Sequence, residues 1–75
     1  MNILNNIKKE LNYLINKNNW SNWIIELDND TFKLINTKAH YQYAQWKISN
    51  YYNDLDFIKE EIEGLLYWMS NMNII

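Results

Sequence analysis

The spacing of apolar residues predicts a helix at each end of the chain. Over residues 2–16 apolar side chains recur every three or four positions and polar ones fill the gaps, as on an amphipathic helix. These apolar residues are Leu4, Ile7, Leu11, Leu14 and Ile15, whereas Asn12 is among the residues expected to face solvent. Residues 53–72 repeat the pattern with a longer stripe: Leu55, Ile58, Ile62, Leu65, Leu66 and Met69.

The second helix carries further local signals. Asn53 is a natural N-cap, and Tyr52 before it is placed to pack on Phe57 as a hydrophobic staple. The only glycine, Gly64, falls inside this helix, where Gly costs about 1 kcal/mol relative to Ala. That cost predicts the close approach of another element to Gly64. The first helix is the main candidate, and a partner filling a notch between Phe57 and Trp68 is the other.

Residues 23–35 change from helical spacing to alternation, which predicts a β-hairpin with a two-residue turn at residues 29–30. This turn sets matching residues opposite each other on both faces. The pairs are Leu27–Phe32 and Ile25–Leu34 on one face, and Glu26–Lys33 and Ile24–Ile35 on the other. Each such pair contributes roughly 0.2–1 kcal/mol, and a one-residue slip would lose both sets together.

Residues 39–50 fit two patterns. As a strand, Ala44, Trp46 and Ile48 share one face while Tyr41, Tyr43, Gln45 and Lys47 share the other; as a helix, Tyr41, Ala44, Ile48, Tyr51 and Tyr52 align nearly as well. The Tyr, Trp and Ile content favours a strand, and a hairpin without a third strand is marginal. The expected fold is α+β, a two-layer α-β-β-β-α domain whose three-stranded antiparallel sheet carries both helices on one face. The alternative order is αββαα.

In this strand interpretation, the uncovered sheet face carries two tyrosines and two lysines. The full predicted set is Tyr41, Tyr43 and Lys47 with Ile24, Glu26, Lys33 and Ile35. Bases stack on aromatic rings and lysines neutralise phosphates, so this face is a candidate surface for RNA or single strands. It also suits a protein partner or a homodimer, and the strand propensity of Tyr explains it without any function.

Composition narrows the function classes. Seventy-five residues make a single domain, 1–75, and the absence of Cys excludes disulfides and thiolate metal sites. All seven cationic residues are Lys and the net charge is −2, which disfavours a general nucleic-acid binder. No apolar run is long enough for a signal peptide or a membrane span, so a cytoplasmic protein is expected.

No constellation of residues points to catalysis, a cofactor or a metal. His40 has no Cys or second His to join it, and Ser21, Ser49 and Ser70 lack a nucleophile-elbow context. A two-layer domain of this size rarely holds a cleft deep enough for chemistry. We therefore expect a protein that acts by binding, not an enzyme.

Five of the nine acidic residues lie in "NDLDFIKEEIEG", residues 53–64. On a helical wheel Asp56, Glu60 and Glu63 share the side away from the apolar stripe, and Glu61 lies on its flank. Such a face suits docking on a basic groove that normally holds nucleic acid, because complementary charge speeds association and selects the partner. The other explanation is a solvated helix face whose acids lie near the positive end of the helix dipole.

The chain is small, lacks a chemical site, shows the AT-rich codon bias behind its many Asn, Ile and Lys residues, and has the order helix, three strands, helix. In these features it resembles the small inhibitors encoded by phages and mobile elements. The anti-CRISPR type is the nearest, and residues "WIIELDND" to "ISNYY" carry the resemblance, which is one of layout. It implies stoichiometric blocking of a nucleic-acid-guided defence effector in the host-cell cytoplasm.

From charge and exposure, we expect an acidic partner-binding face with aromatic anchors. The acidic residues are Asp56, Glu60, Glu61 and Glu63, and the anchors are Tyr41, Tyr43 or Trp68. The alternatives are an RNA- or single-strand-binding sheet that uses Tyr41, Tyr43, Lys33 and Lys47, and a structural or regulatory homo-oligomer built through the open sheet face or the trailing "NMNII".

Overall fold

The computed structural model describes residues 2–75, with two helices and three strands in the order α-β-β-β-α. The elements are α1 (Ile3–Lys17), β1 (Trp23–Asp28), β2 (Thr31–Asn36), β3 (Tyr41–Lys47), a short 3₁₀ helix (Ile48–Tyr51) and α2 (Leu55–Asn71). The strands form one antiparallel sheet in the order β1-β2-β3. The predicted α+β fold is confirmed, and the αββαα alternative is wrong.

The hairpin of β1 and β2 has the predicted register. Its pairs include Leu27–Phe32, Ile25–Leu34, Glu26–Lys33 and Ile24–Ile35. The turn residue Asn29 has a φ of 55°, a left-handed conformation that Asn tolerates better than most residues. One detail differs from the predicted charge pairing, because the Lys33 Nζ atom lies 3.0 Å from Oδ2 of Asp28.

Both helices pack on the same face of the sheet, and the core lies between the two layers. The helices contribute Ile7, Leu11, Ile15, Ile58, Ile62, Leu66 and Met69, and the strands contribute Trp23, Ile25, Phe32, Leu34 and Trp46. The predicted apolar stripes thus face the core, although Leu4, Leu14, Leu55 and Leu65 at their margins are only partly buried. Each buried side chain of this size contributes roughly 1.5–3 kcal/mol, so this layer supplies most of the stability.

The N-terminus of α2 differs from the prediction. Asp54, not Asn53, is the N-cap, and its Oδ1 atom accepts a hydrogen bond from the Phe57 N–H at 3.1 Å. Tyr52 and Asn53 have φ values of 54° and 58°, so the chain turns sharply and leaves Tyr52 95% exposed. The predicted staple between Tyr52 and Phe57 is therefore wrong. Tyr51 takes that place, with its ring centroid 5.7 Å from that of Phe57.

A β-bulge interrupts β3. Leu34 pairs with Ala44 but the next residue, Ile35, pairs with Gln42, which leaves Tyr43 as an extra residue in β3. Side chains alternate strictly along a regular strand, so one extra residue reverses the alternation on its far side. The residues that precede the bulge therefore occupy the faces opposite to those predicted.

As a result, Tyr41 and Tyr43 lie against Trp23 on the helix-covered face of the sheet. Their ring centroids are 6.2 and 5.6 Å from the Trp23 ring, in nearly perpendicular arrangements. The prediction that they lie on the uncovered face is wrong, because it continued the alternation through the bulge. The uncovered face instead carries Ile24, Glu26, Asp28, Thr31, Lys33, Ile35, Gln42, Gln45 and Lys47.

Asn12 connects α1 to the outer edge of β1 through two hydrogen bonds. Its Nδ2 atom donates to the Ile25 carbonyl at 2.9 Å, and its Oδ1 atom accepts from the Ile25 N–H at 2.9 Å. The side-chain amide thus takes the place of a peptide group from a neighbouring strand and satisfies two groups that an edge strand leaves unpaired. The expectation that Asn12 faces solvent is wrong.

An ion pair joins the two helices. The Nζ atom of Lys59 in α2 lies 3.1 Å from Oε2 of Glu10 in α1. This hydrogen bond raises the pKa of Lys59 above its ordinary value, and it outweighs the opposing effect of partial desolvation. The carboxylates of Glu63 and Asp56 add a smaller effect in the same direction.

Replacing Glu10 with Gln is expected to destabilise the protein by about 0.2–1 kcal/mol at pH 7, because both partners are partly exposed. The folded-state pKa of Lys59 lies above the unfolded value of 10.5, so the contribution is present below that pH and disappears as the pH rises through the folded value. Urea unfolding at pH 7 and at about pH 11 measures this. The difference between the natural protein and Glu10→Gln should shrink at the higher pH, and an unchanged difference would contradict the assignment.

Candidate protein-binding surface

The outer side of α2, away from the core, carries a row of exposed apolar side chains. Phe57 and Trp68 are 46% and 50% exposed and lie on the same side of the helix, about three turns apart. The exposed C-cap residue Met72 extends the row, the half-buried Leu65 borders it on the side toward the core, and Gly64 lies between the two aromatic residues. We call Phe57, Gly64, Leu65, Trp68 and Met72 the outer stripe.

Gly64 forms the floor of an open notch in the outer stripe. A Cβ atom built at this position would meet no atom of residues 2–75 within 4 Å beyond its own helix backbone and chain neighbours. The predicted close approach of the first helix is therefore wrong. The notch opens to a depression of about 340 Å³ lined by Phe57, Glu60, Glu61, Gly64 and Leu65.

Two of the four predicted acidic residues, Glu60 and Glu61, border this notch. Both are exposed, and within residues 2–75 neither carboxylate has a cationic side chain within salt-bridge distance. Their charge is therefore available to a ligand, directly beside the exposed ring of Phe57.

The other two acidic residues, Asp56 and Glu63, lie toward Lys59, whose pKa both of them raise. Glu63 is half-buried and lines the groove between α1 and α2. The four acids thus do not form one uniform face: two flank the outer stripe, and the charge of the other two is partly offset by a lysine.

The groove between the helices has mixed charge. Its volume is about 540 Å³, and its lining comprises Lys9, Glu10, Tyr13, Leu14, Lys17, Lys59 and Glu63. Three lysines among these residues limit the negative surface of α2 to its outer side. The only sign of this groove in the sequence is the four-residue spacing of Lys9, Tyr13 and Lys17 on α1.

The three predicted anchors lie toward one end of the molecule. Trp23 pairs with Asn36 and Asn36 with Tyr41, so β1 and β3 begin at the same end of the sheet. Tyr41 is 46% exposed and Tyr43 is 36% exposed, so each packs one side of its ring on Trp23 and leaves the rest accessible.

The C-terminal half of α2, which carries Trp68, lies at this end of the molecule because of a contact that the sequence did not indicate. The buried Trp20, which precedes β1, lies with its ring centroid 5.8 Å from that of Tyr67 in an edge-to-face arrangement. This contact holds the C-terminal half of α2 near the start of β1. Trp68 follows Tyr67 directly, so it belongs to the same end of α2.

The platform predicted for RNA or single strands is not assembled. Lys33 and Lys47 lie on the uncovered sheet face, whereas Tyr41 and Tyr43 pack on Trp23 on the other side. Stacking rings and phosphate-binding lysines are thus separated by the sheet itself.

The structure adds two findings on other kinds of site. The helices of the described residues include none with the length and apolar character needed to cross a bilayer. Within the same residues, the His, Asp and Glu side chains form no group of three or more that could hold a metal ion.

No protein-family model matches the chain, and neither a curated protein nor a solved structure gives a significant match.

Proposed function

We propose that this chain is a small, non-enzymatic binding protein that blocks a bacterial defence effector of the CRISPR type by occupying its nucleic-acid-binding surface through α2. One side of α2 combines two kinds of exposed group, and this observation carries the proposal. The first are the carboxylates of Glu60 and Glu61, which have no salt-bridge partner in residues 2–75. The second are the half-exposed rings of Phe57 and Trp68. Large aromatic residues beside complementary charge are typical of the dominant residues in protein interfaces.

The charge of this surface supports a partner with a basic channel. Effectors guided by nucleic acid hold their guide–target duplex in a positively charged channel and contact mainly its backbone. Carboxylates can take the positions of phosphates there, and the net charge of −2 favours approach to such a channel. The resemblance in layout to anti-CRISPR-type inhibitors selects this class of partner, which works in the cytoplasm of the host cell.

Target-DNA binding by purified RNA-guided effectors, followed by fluorescence anisotropy, tests the proposal. An equimolar amount of the protein is expected to prevent one effector of the panel from binding its target. The double charge reversal Glu60→Lys with Glu61→Lys should weaken this inhibition by at least about 30-fold, because losing one partner of a buried charge pair costs about 2–5 kcal/mol.

The matched control is Glu26→Lys with Asp30→Lys, which changes the net charge equally at exposed positions of the hairpin. This control should inhibit as well as the natural protein, and circular dichroism should show both variants folded. Equal loss in the two variants would reveal an effect of net charge alone. Failure of the natural protein to inhibit any effector in a panel spanning the known classes would overturn the proposal.

A further inference from the structure

The spacing of Phe57 and Trp68 along α2 leaves room for a helix at Gly64. Phe57 and Trp68 stand about three turns apart along α2, roughly 16 Å at 1.5 Å per residue. An α-helix with its side chains is about 10–12 Å across. Between the two rings, α2 presents the Glu61 side chain and, at Gly64, backbone without a Cβ atom. No atom of residues 2–75 outside its own helix backbone and chain neighbours lies within 4 Å of a Cβ built at Gly64.

Gly64 has no evident role within the chain itself. Glycine inside a helix is unfavourable relative to almost every other residue, and here no packed neighbour offsets that disadvantage. Its φ is not in the left-handed region, so backbone conformation does not require glycine either. What glycine provides at this position is access to the helix backbone from outside.

We infer that the partner presents an α-helix that crosses α2 at Gly64, between Phe57 and Trp68, and places Lys or Arg side chains against Glu60 and Glu61. This inference rests on the proposed function and specifies which part of the partner α2 contacts. Small residues at a crossing let two helix axes approach to the short end of the usual 8–10 Å range. The half-exposed rings on either side then pack along the flanks of the incoming helix.

The negative charge beside the notch favours a basic helix over a second copy of this chain or a nucleic-acid strand. A second copy docking through the same stripe would bring Glu60 and Glu61 close to their own counterparts, and like charges at such distances are repulsive. A nucleic-acid strand would bring phosphates against the same carboxylates. A helix with basic residues beside an apolar contact face meets both the rings and the carboxylates with complementary chemistry.

The test uses a synthetic amphipathic peptide of about 20 residues as the probe, with Ala and Leu along one face and Lys on both flanks. Its affinity for the full chain is measured by calorimetry, and Trp68 fluorescence, checked against Trp68→Phe, locates the binding. Gly64→Leu fills the notch without changing charge and is expected to weaken binding at least tenfold. The same variant should raise the urea midpoint of unfolding, because Leu is the better helix former.

Asn6→Leu provides the matched control, since it places the same side chain at an exposed position of α1. It should leave peptide affinity unchanged. Equal affinity of Gly64→Leu and the natural chain, or no peptide binding by the natural chain, would overturn the inference.

The inference and the proposed function can fail separately. If Glu60→Lys with Glu61→Lys abolishes effector inhibition while Gly64→Leu retains it, the acidic surface is correct and the helix crossing is wrong. If the peptide binds at the notch but no effector is inhibited, the surface recognises basic helices and the proposed function is wrong.

Discussion

Phe32→Ala is expected to remove a large share of the protein's free energy of unfolding at 25 °C. Phe32 lies at the centre of the sheet with 0% exposure and pairs with Leu27 on one side and Trp46 on the other. Truncating a buried Phe costs about 3–5 kcal/mol through lost burial and the cavity that remains. At roughly 0.05–0.15 kcal/mol per residue, a domain of this length has only about 4–11 kcal/mol of stability in total.

Urea unfolding followed by far-ultraviolet circular dichroism measures this loss. Phe57→Ala is the matched control, because it makes the same change at a half-exposed position on the outer stripe and should lower stability much less. Phe32→Leu keeps most of the volume and should retain the fold. An equal loss of stability in Phe32→Ala and Phe57→Ala would contradict the position of Phe32 in the core between the two layers.

Asn12→Ala is expected to lower stability by about 2–3 kcal/mol, a large effect for a polar residue at the margin of the core. The substitution leaves both the N–H and the carbonyl of Ile25 without their partner, and an unsatisfied group away from water costs about 1–3 kcal/mol. Asn12→Asp should also be destabilised, because a carboxylate accepts from the N–H but repels the Ile25 carbonyl.

Hydrogen exchange at the Ile25 amide distinguishes this local effect from a general weakening of α1. In Asn12→Ala the amide should exchange much faster than in the natural protein, and more so than amides in the middle of β2. Asn6→Ala removes an exposed asparagine from the same helix and should be neutral or slightly stabilising, since Ala is the best helix former. Similar stability of the two alanine variants would refute the role assigned to Asn12.

The parts of the fold that could be predicted are those whose determinants are close together in the sequence. In the hairpin, the turn at Asn29 and the pairs on both faces agree with one another, so only one register satisfies them. The apolar stripes of α1 and α2 are similarly redundant, with several residues indicating the same face. Consistency among local signals of this kind makes an element predictable.

The bulge at Tyr43 could not be predicted in this way, because an alternating strand looks regular in sequence. Its position depends on how β3 pairs with β2, in which Leu34 and Ile35 pair on either side of the extra residue. The cap of α2 was equally ambiguous, since Asn53 and Asp54 are both good capping residues. The left-handed conformation of Asn53 decides in favour of Asp54.

The candidate surface was predicted in part. Helical periodicity placed Glu60, Glu61 and Trp68 on the outside of α2, where the structure has them. The open space at Gly64 depends on where α1 lies, a tertiary fact that no local pattern contains. The same holds for Asn12, which periodicity assigned to solvent because it is polar.

The hydrogen bonds of Asn12 also restrict how copies of this sheet can join. A sheet that grows into a fibril needs two free edges, one for the preceding copy and one for the next. Here the middle of the β1 edge is occupied by Asn12, and the Trp23 N–H at its start donates to the Trp20 carbonyl. Strand addition is thereby hindered at the β1 edge and left to the β3 edge, where two copies can meet once. Growth by edge pairing is therefore expected to end at a closed pair, because Asn12 and the Trp20 carbonyl oppose open-ended polymerisation.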